Sequence, residues 1–113
     1  MNSFIEGRAF ALLLPAYTIL EAEQSTELGI SLLGAGCLEI CCVGPLGARL
    51  EETLDFALES FERPEVVTTS FGDGDSAIEY FLLAAGGALQ SLDLVAAVGF
   101  HSCLKADLIV AAR

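Results

Sequence analysis

The sequence predicts a single-domain α/β sandwich of three layers, with a mostly parallel sheet of four or five strands and helices flanking it. Two observations carry this. Short apolar runs at 9–14, 37–43, 66–71 and 93–98, expected among the central strands, alternate with segments whose apolar residues recur at helical spacing, joined by short connections. The run CLEICCV at 37–43 is almost continuously apolar, as a strand buried on both faces reads, and Gly44-Pro45-Leu46-Gly47 turns it straight into an acidic amphipathic segment. The 113 residues suit one domain with one core.

Residues 1–8 read as an irregular arm. Arg8 to Leu14 is the first strand, closed by Pro15, which has no N–H to give to a ladder. The first helix is expected from Tyr17 or Thr18 to Leu33, with Ile19, Ala22, Thr26, Ile30 and Leu33 buried and Glu21, Glu23, Gln24 and Glu27 outside. Gly29 costs that helix about 1 kcal/mol against alanine, so a close neighbour is expected there. Gly34-Ala35-Gly36 ends the helix. In the strand 37–43, simple alternation sends Cys37 and Cys41 to one face and Cys42 to the other.

The second helix, Ala48 to Phe61, offers Leu50, Leu54, Ala57, Leu58 and Phe61 as a buried stripe. Glu51, Glu52, Asp55, Glu59 and Glu62 form its outer face; Glu51 and Glu52 gain from the helix dipole, while the i,i+4 repulsions cost a little. The third strand is Val66 to Phe71, followed by the turn Gly72-Asp73-Gly74-Asp75, with Asp75 or Ser76 as a helix cap. The third helix, Ser76 to about Ala88, carries one charge, Glu79, and a second apolar stripe of Tyr80, Leu83, Ala84 and Gly87. Such a stripe calls for a cover, and the expected one is a second copy of the chain in a homodimer, the alternative being the N-terminal arm with Phe4 and Ile5 or the segment 100–112 folded over it. The fourth strand begins at Leu92 or Leu94 and ends at Val98. A short segment FHSCLKAD and an edge strand at 107–112 follow, the latter antiparallel if it pairs with the fourth, since almost no crossover separates them.

Sixteen acidic side chains against five Lys and Arg leave a net charge of −11. That field repels polyphosphate and anionic headgroups, so neither nucleic acid nor membrane is an expected partner; a basic protein is. The apolar run at 9–16 lacks a basic flank and follows Glu6, unlike a signal segment, and Glu79, Gln90, Ser91 and Asp93 interrupt 77–100 as a span. Cytoplasm is the expected location. Cys37, Cys41, Cys42 and Cys103 have no metal spacing and read as reduced, mostly buried thiols.

No dinucleotide, Walker, CxxC, HExxH or GxSxG motif is present, and no cofactor or metal is expected. The proline in Gly44-Pro45-Leu46-Gly47 speaks for a plain turn over a phosphate cradle. Right-handed crossovers would gather the 15–18, 44–47, 70–75 and 99–101 loops at the carboxyl edge of the sheet, where Thr68, Thr69, Ser70, Asp73, Asp75 and His101 are the candidate ligand-binding residues. Asp73 and Asp75 suit a hard divalent ion beside these hydroxyls, although turn formation and capping account for both. His101 and Cys103 lie at i,i+2, with no base, orienter or oxyanion donor suggested.

Between Leu28 and His101 the chain resembles a family of small bacterial α/β proteins with no established reaction. The resemblance lies in Ala35-Gly36-Cys37-Leu38 running to Val43-Gly44, in Val66-Val67-Thr68-Thr69, in Asp73 and Asp75, and in Ile78-Glu79-Tyr80-Phe81. The family's tryptophans are absent, and Ser70 and Phe71 stand near the place of its loop histidine. It implies block boundaries and no chemistry. The function expected from the residues is a non-enzymatic interaction or regulatory module; the alternative is a small-molecule or metal-dependent enzyme or ligand binder using the carboxyl-edge loops.

Overall fold

A computed structural model describes residues 9–63, 65–83, 93–102 and 105–112. The elements are β1 (Phe10–Pro15), α1 (Ile19–Leu32), β2 (Cys37–Val43), α2 (Gly47–Ser60), β3 (Val67–Phe71), α3 (Gly74–Leu83), β4 (Asp93–Ser102) and β5 (Lys105–Ala112), with a 3-10 turn at Leu33–Ala35. The strands lie in the order β3-β2-β1-β4-β5; β1 to β4 run parallel and β5 runs antiparallel to β4, so the strand at 66–71, expected among the central ones, is an edge strand. This is the α/β sandwich that the alternation predicts.

Handedness decides which face each helix takes. From β1 to β3 the chain steps one way across the sheet, and from β3 to β4 it steps back over β1. Right-handed crossovers then place α1 and α2 on one face and α3 on the other. The core divides accordingly. Phe10, Leu12, Leu14, Ile40 and Cys42 pack under Leu28, Leu32, Leu50, Leu54 and Leu58. Ala11, Cys41, Val43 and Leu94 pack under Ala77 and Phe81. Full burial of a leucine such as Leu54 contributes about 2 kcal/mol, so the first cluster supplies most of the driving force.

The sheet-facing side of α1 differs from the expected stripe. Ser25, Leu28, Gly29 and Leu32 are buried, as is the expected Leu33 just past the helix, whereas Ile19 is 66% exposed and Ala22, Thr26 and Ile30 are only half-buried, the first two lining a cleft toward α2. The cause is size. Ser25 donates its hydroxyl to the Pro15 carbonyl at 2.6 Å, and a Cβ on Gly29 would meet Leu14 Cδ1 at 3.1 Å and Leu54 Cδ2 at 3.2 Å. Small residues let α1 settle on the end of β1, which rotates the larger ones aside. Thr18 caps the helix by accepting from Glu21 N–H, and Glu21 Oε1 accepts from Tyr17 N–H at 2.8 Å.

Simple alternation also fails in β2. Phe10 pairs with Cys37 but Ala11 pairs with Glu39, so one residue is inserted at Leu38. The extra residue flips the parity. Cys37 and Cys42 share the α1/α2 face and Cys41 takes the other, instead of Cys37 and Cys41 pairing. Phe61 is exposed, not part of the buried stripe of α2, because the helix has already ended. Glu62 adopts φ 55° while Arg63 N–H reaches the Leu58 carbonyl at 2.9 Å and Glu62 N–H the Glu59 carbonyl at 3.2 Å, a Schellman closure.

The segment after Gly99 is strand, not a short loop: β4 runs to Ser102 and pairs with β5 from Lys105. Since β1 pairs only as far as Leu13 with Ala96, the β4–β5 hairpin projects past the end of β1. Helix α3 starts at Gly74, two residues early, since Asp73 rather than Asp75 or Ser76 caps it by accepting from Ser76 N–H at 2.8 Å. Among the described residues, no helix is long and apolar enough to cross a membrane.

Gly29→Val should lower stability by about 2 kcal/mol, because two leucine methyls already sit at the closest approach an added Cβ tolerates. Urea unfolding checks this; an unchanged midpoint would mean that α1 is free to lift from β1.

Candidate functional site

The carboxyl edge over β1, β2 and β3 is filled by the chain itself. Ala16 N–H bonds the Val43 carbonyl at 2.7 Å, Gly44 N–H the Phe71 carbonyl at 2.9 Å, and Leu46 N–H the Ala16 carbonyl at 2.9 Å. Gly44 is required there: its φ is 119° and a Cβ would lie 2.7 Å from the Ala16 carbonyl oxygen. The Tyr17 ring lies against Gly44, and its hydroxyl reaches to 3.2 Å from where a Cβ on Gly74 would stand. Tyr17 thus spans the ends of β2 and β3, and the Gly44–Gly47 turn opens no cradle beneath it.

The carboxyl-edge candidates separate onto different faces. Asp73 caps α3, and the Ser76 N–H and hydroxyl hold its carboxyl below the usual range. Asp75 is exposed in the first turn of α3. Thr68 and Ser70 face α2, and Thr69 faces α3. His101 lies on β4 beyond the end of β1. The side chains of His101 and Leu83 are outside the described set, as are Ala84, Gly87 and Cys103 altogether. Tyr80 stands inward rather than on an outer stripe: it packs with the core under α3, its ring 5.3 Å from that of Phe71. Among the described side chains of α3, the exposed large apolar one is Ile78.

Two polar clusters flank β3. On the α2 side, Ser70 Oγ donates to Glu51 Oε1 at 2.8 Å, while Thr68 Oγ1 lies 2.5 Å from Asp55 Oδ1 and 3.2 Å from Glu51 Oε2. One hydroxyl proton serves two carboxylates, so Thr68 and Ser70 tie the helix to the strand without neutralising it. On the α3 side stands Glu39, 4% exposed, accepting from Tyr80 Oη at 2.5 Å with Thr69 Oγ1 at 3.5 Å. Sequence reasoning passed over Glu39. The signal was available: it is the lone charge in an otherwise apolar central strand.

The thiols beside these clusters are unreactive by position. Burial pushes Cys37 up to about 12 and Cys41 up to about 11, the latter despite its hydrogen bond with Thr69. Burial, then Cys41, Glu51 and Asp55, push Cys42 higher still. Among the described residues no group of three His, Cys, Asp or Glu could hold a metal ion.

Two clefts open beside α2. One, of about 470 Å³, lies between α1 and α2 and is lined by Ile19, Ala22, Leu46 and Leu50, with Glu23, Glu27 and Arg49 at its rim. The other, of about 400 Å³, lies at the start of β3, with Leu58 and Val66 on its floor and Asp55, Glu59, Glu62 and Arg63 around it. Arg63 is already engaged, donating to Glu65 Oε2 and, at 2.9 Å, to the Leu33 carbonyl. No protein-family model, curated protein or solved structure matches the chain.

Two outcomes follow from the clusters. Tyr80→Phe should cost about 1–3 kcal/mol in urea unfolding, since it removes a donor from a buried carboxylate; a neutral result would mean that Glu39 does not depend on the tyrosine. The thiols set the alkaline limit. Their folded values of about 11 and about 12 lie above an ordinary value of 9.0, so unfolding releases protons once pH exceeds 9. Their contribution is complete below pH 9 and is lost as pH rises toward 11–12. Alkylation at pH 8 followed by peptide mass analysis should leave Cys37, Cys41 and Cys42 unmodified in the folded protein.

Proposed function

We propose that the chain is a non-enzymatic interaction module that binds, and so regulates or neutralises, a basic protein. One observation carries the reading: Glu51, Asp55 and Glu59 run along one flank of α2, with Glu62 just past its end, and no salt bridge among the described residues engages any of them. Phe56, 74% exposed, stands among these acids as an apolar contact. The filled edge under Tyr17 supports a binding face over a reaction centre. Three buried free cysteines support a reducing, cytoplasmic setting. Self-association through the third helix, with Leu83, Ala84 and Gly87 as the contact residues the sequence suggests and Ile78 exposed beside them in sequence, belongs to the same proposal.

A lysine-rich twenty-residue probe should bind the protein, and the affinity should fall steeply between about 50 and about 300 mM salt as screening shortens the reach of the acids. A glutamate-rich probe should not bind. Native mass spectrometry of protein from its own host tests the opposite reading: a small organic ligand at full occupancy would overturn the proposal. For the dimer, Leu83→Glu with Ala84→Lys should give a folded monomer by sedimentation. A wild-type monomer at high micromolar concentration would remove that element alone.

A further inference from the structure

We propose that the basic partner binds as an extended segment added to the open edge of β3, its basic side chains at every second position. This rests on the basic-partner reading and gives it a place and a geometry.

Among the described residues, β3 pairs with β2 alone. The Phe71 carbonyl faces β2, where it accepts from Gly44. By strand alternation Val67 and Thr69 also direct their backbone groups to β2, while the N–H and C=O of Thr68 and Ser70 point away from the sheet. These groups are what strand addition uses. No bulge interrupts the strand, since β2 and β3 keep one register from Glu39–Val67 to Val43–Phe71. Val67 is 53% exposed, so side-chain cover does not close the edge there.

The flanking helix supplies the spacing. Glu51 bonds Ser70, Asp55 bonds Thr68, and Asp55 and Glu59 reach the cleft beside Val66, so α2 runs antiparallel to β3 with an acid every four residues. Four helical residues rise about 6.0 Å and two strand residues about 6.6 Å. An added strand with Lys or Arg at alternate positions therefore meets Glu51, Asp55 and Glu59 in turn. At the start of β3, the cleft floored by Leu58 and Val66 suits the aliphatic stem of such a side chain, with its charge among Asp55, Glu59 and Glu62, while Arg63 on the same rim is held by Glu65 and the Leu33 carbonyl. A second copy of this chain is a poor occupant of the same edge, because pairing β3 with β3 would set one acidic flank near another.

The probe is a ten-residue peptide alternating lysine and threonine, tested on the full chain with two versions N-methylated at either the lysine or the threonine nitrogens. Backbone N–H groups alternate in direction along a strand, so one methylated version should lose binding at least about tenfold while the other keeps it. Amide exchange at Thr68 and Ser70 should slow on binding. Glu59→Gln with Glu62→Gln, which leaves the Thr68 and Ser70 bonds intact, should weaken binding about fivefold at low salt. Equal binding by both methylated versions, or Thr68 and Ser70 amides already protected in the free protein, would overturn the edge site and leave the basic-partner reading standing. No binding by this peptide or by the longer lysine-rich probe would overturn both.

Discussion

The inserted residue at Leu38 is the constraint on which the arrangement of the sheet depends. β1 and β2 start in register at Phe10 and Cys37, with both side chains in the leucine layer beneath α1 and α2. Strict alternation from there would turn Glu39 into the same layer, where every packed neighbour is apolar. A carboxylate buried without partners costs more than the strand pairing returns. The bulge moves Glu39 to the opposite face, within reach of Tyr80 and Thr69, and returns Ile40 and Cys42 to the leucines. The two faces of the sheet are thereby sorted by chemistry. One is an apolar seat for two helices; the other holds a polar pocket under a single helix.

The same sorting explains why β3 is polar on both sides. Its Thr68 and Ser70 meet the acids of α2, and its Thr69 meets Glu39. An edge strand made of hydroxyl residues packs less apolar area than β1 or β2 and leans on hydrogen bonds to carboxylates. Those bonds fix Glu51 and Asp55 along the edge instead of leaving them to sweep freely through solvent. Preorganised charge loses less side-chain entropy on binding than mobile charge, so the acidity of this chain is more useful as an ordered row than as a net count.

Much of the fold was legible because it rests on periodicity. The apolar runs marked β1, β2 and β3, the Gly44–Gly47 turn marked the entry to α2, and Gly29 marked a close approach. What escaped depends on relations between distant segments. The sheet face of α1 goes to Ser25 and Gly29 because a neighbouring carbonyl and two leucines set the fit, and no helical wheel contains them. The parity of β2 was lost for the same reason, since a bulge is defined against its partner strand. Phe61 reads as buried only while the helix is imagined to continue past Ser60. The candidate hydroxyls at Thr68, Thr69 and Ser70 were found by their chemistry, yet alternation splits them between faces, and the acids they serve came from a helix face read as solvated and from a strand read as apolar.

The acids of α2 illustrate how a charge pattern gains meaning from its neighbour. On the helix alone, Glu51, Asp55 and Glu59 are an i,i+4 series that costs stability through repulsion. Beside β3 the first two become hydrogen-bond acceptors at 2.5–3.2 Å, which offsets some of that cost. Glu59 and Glu62 make no such bond in the described structure and face the cleft by Val66. Stability alone would be served as well by a neutral residue at either place. Under the proposed reading, a positive group of the partner relieves the remaining repulsion, and the edge of β3 that pairs with no described strand lies alongside it.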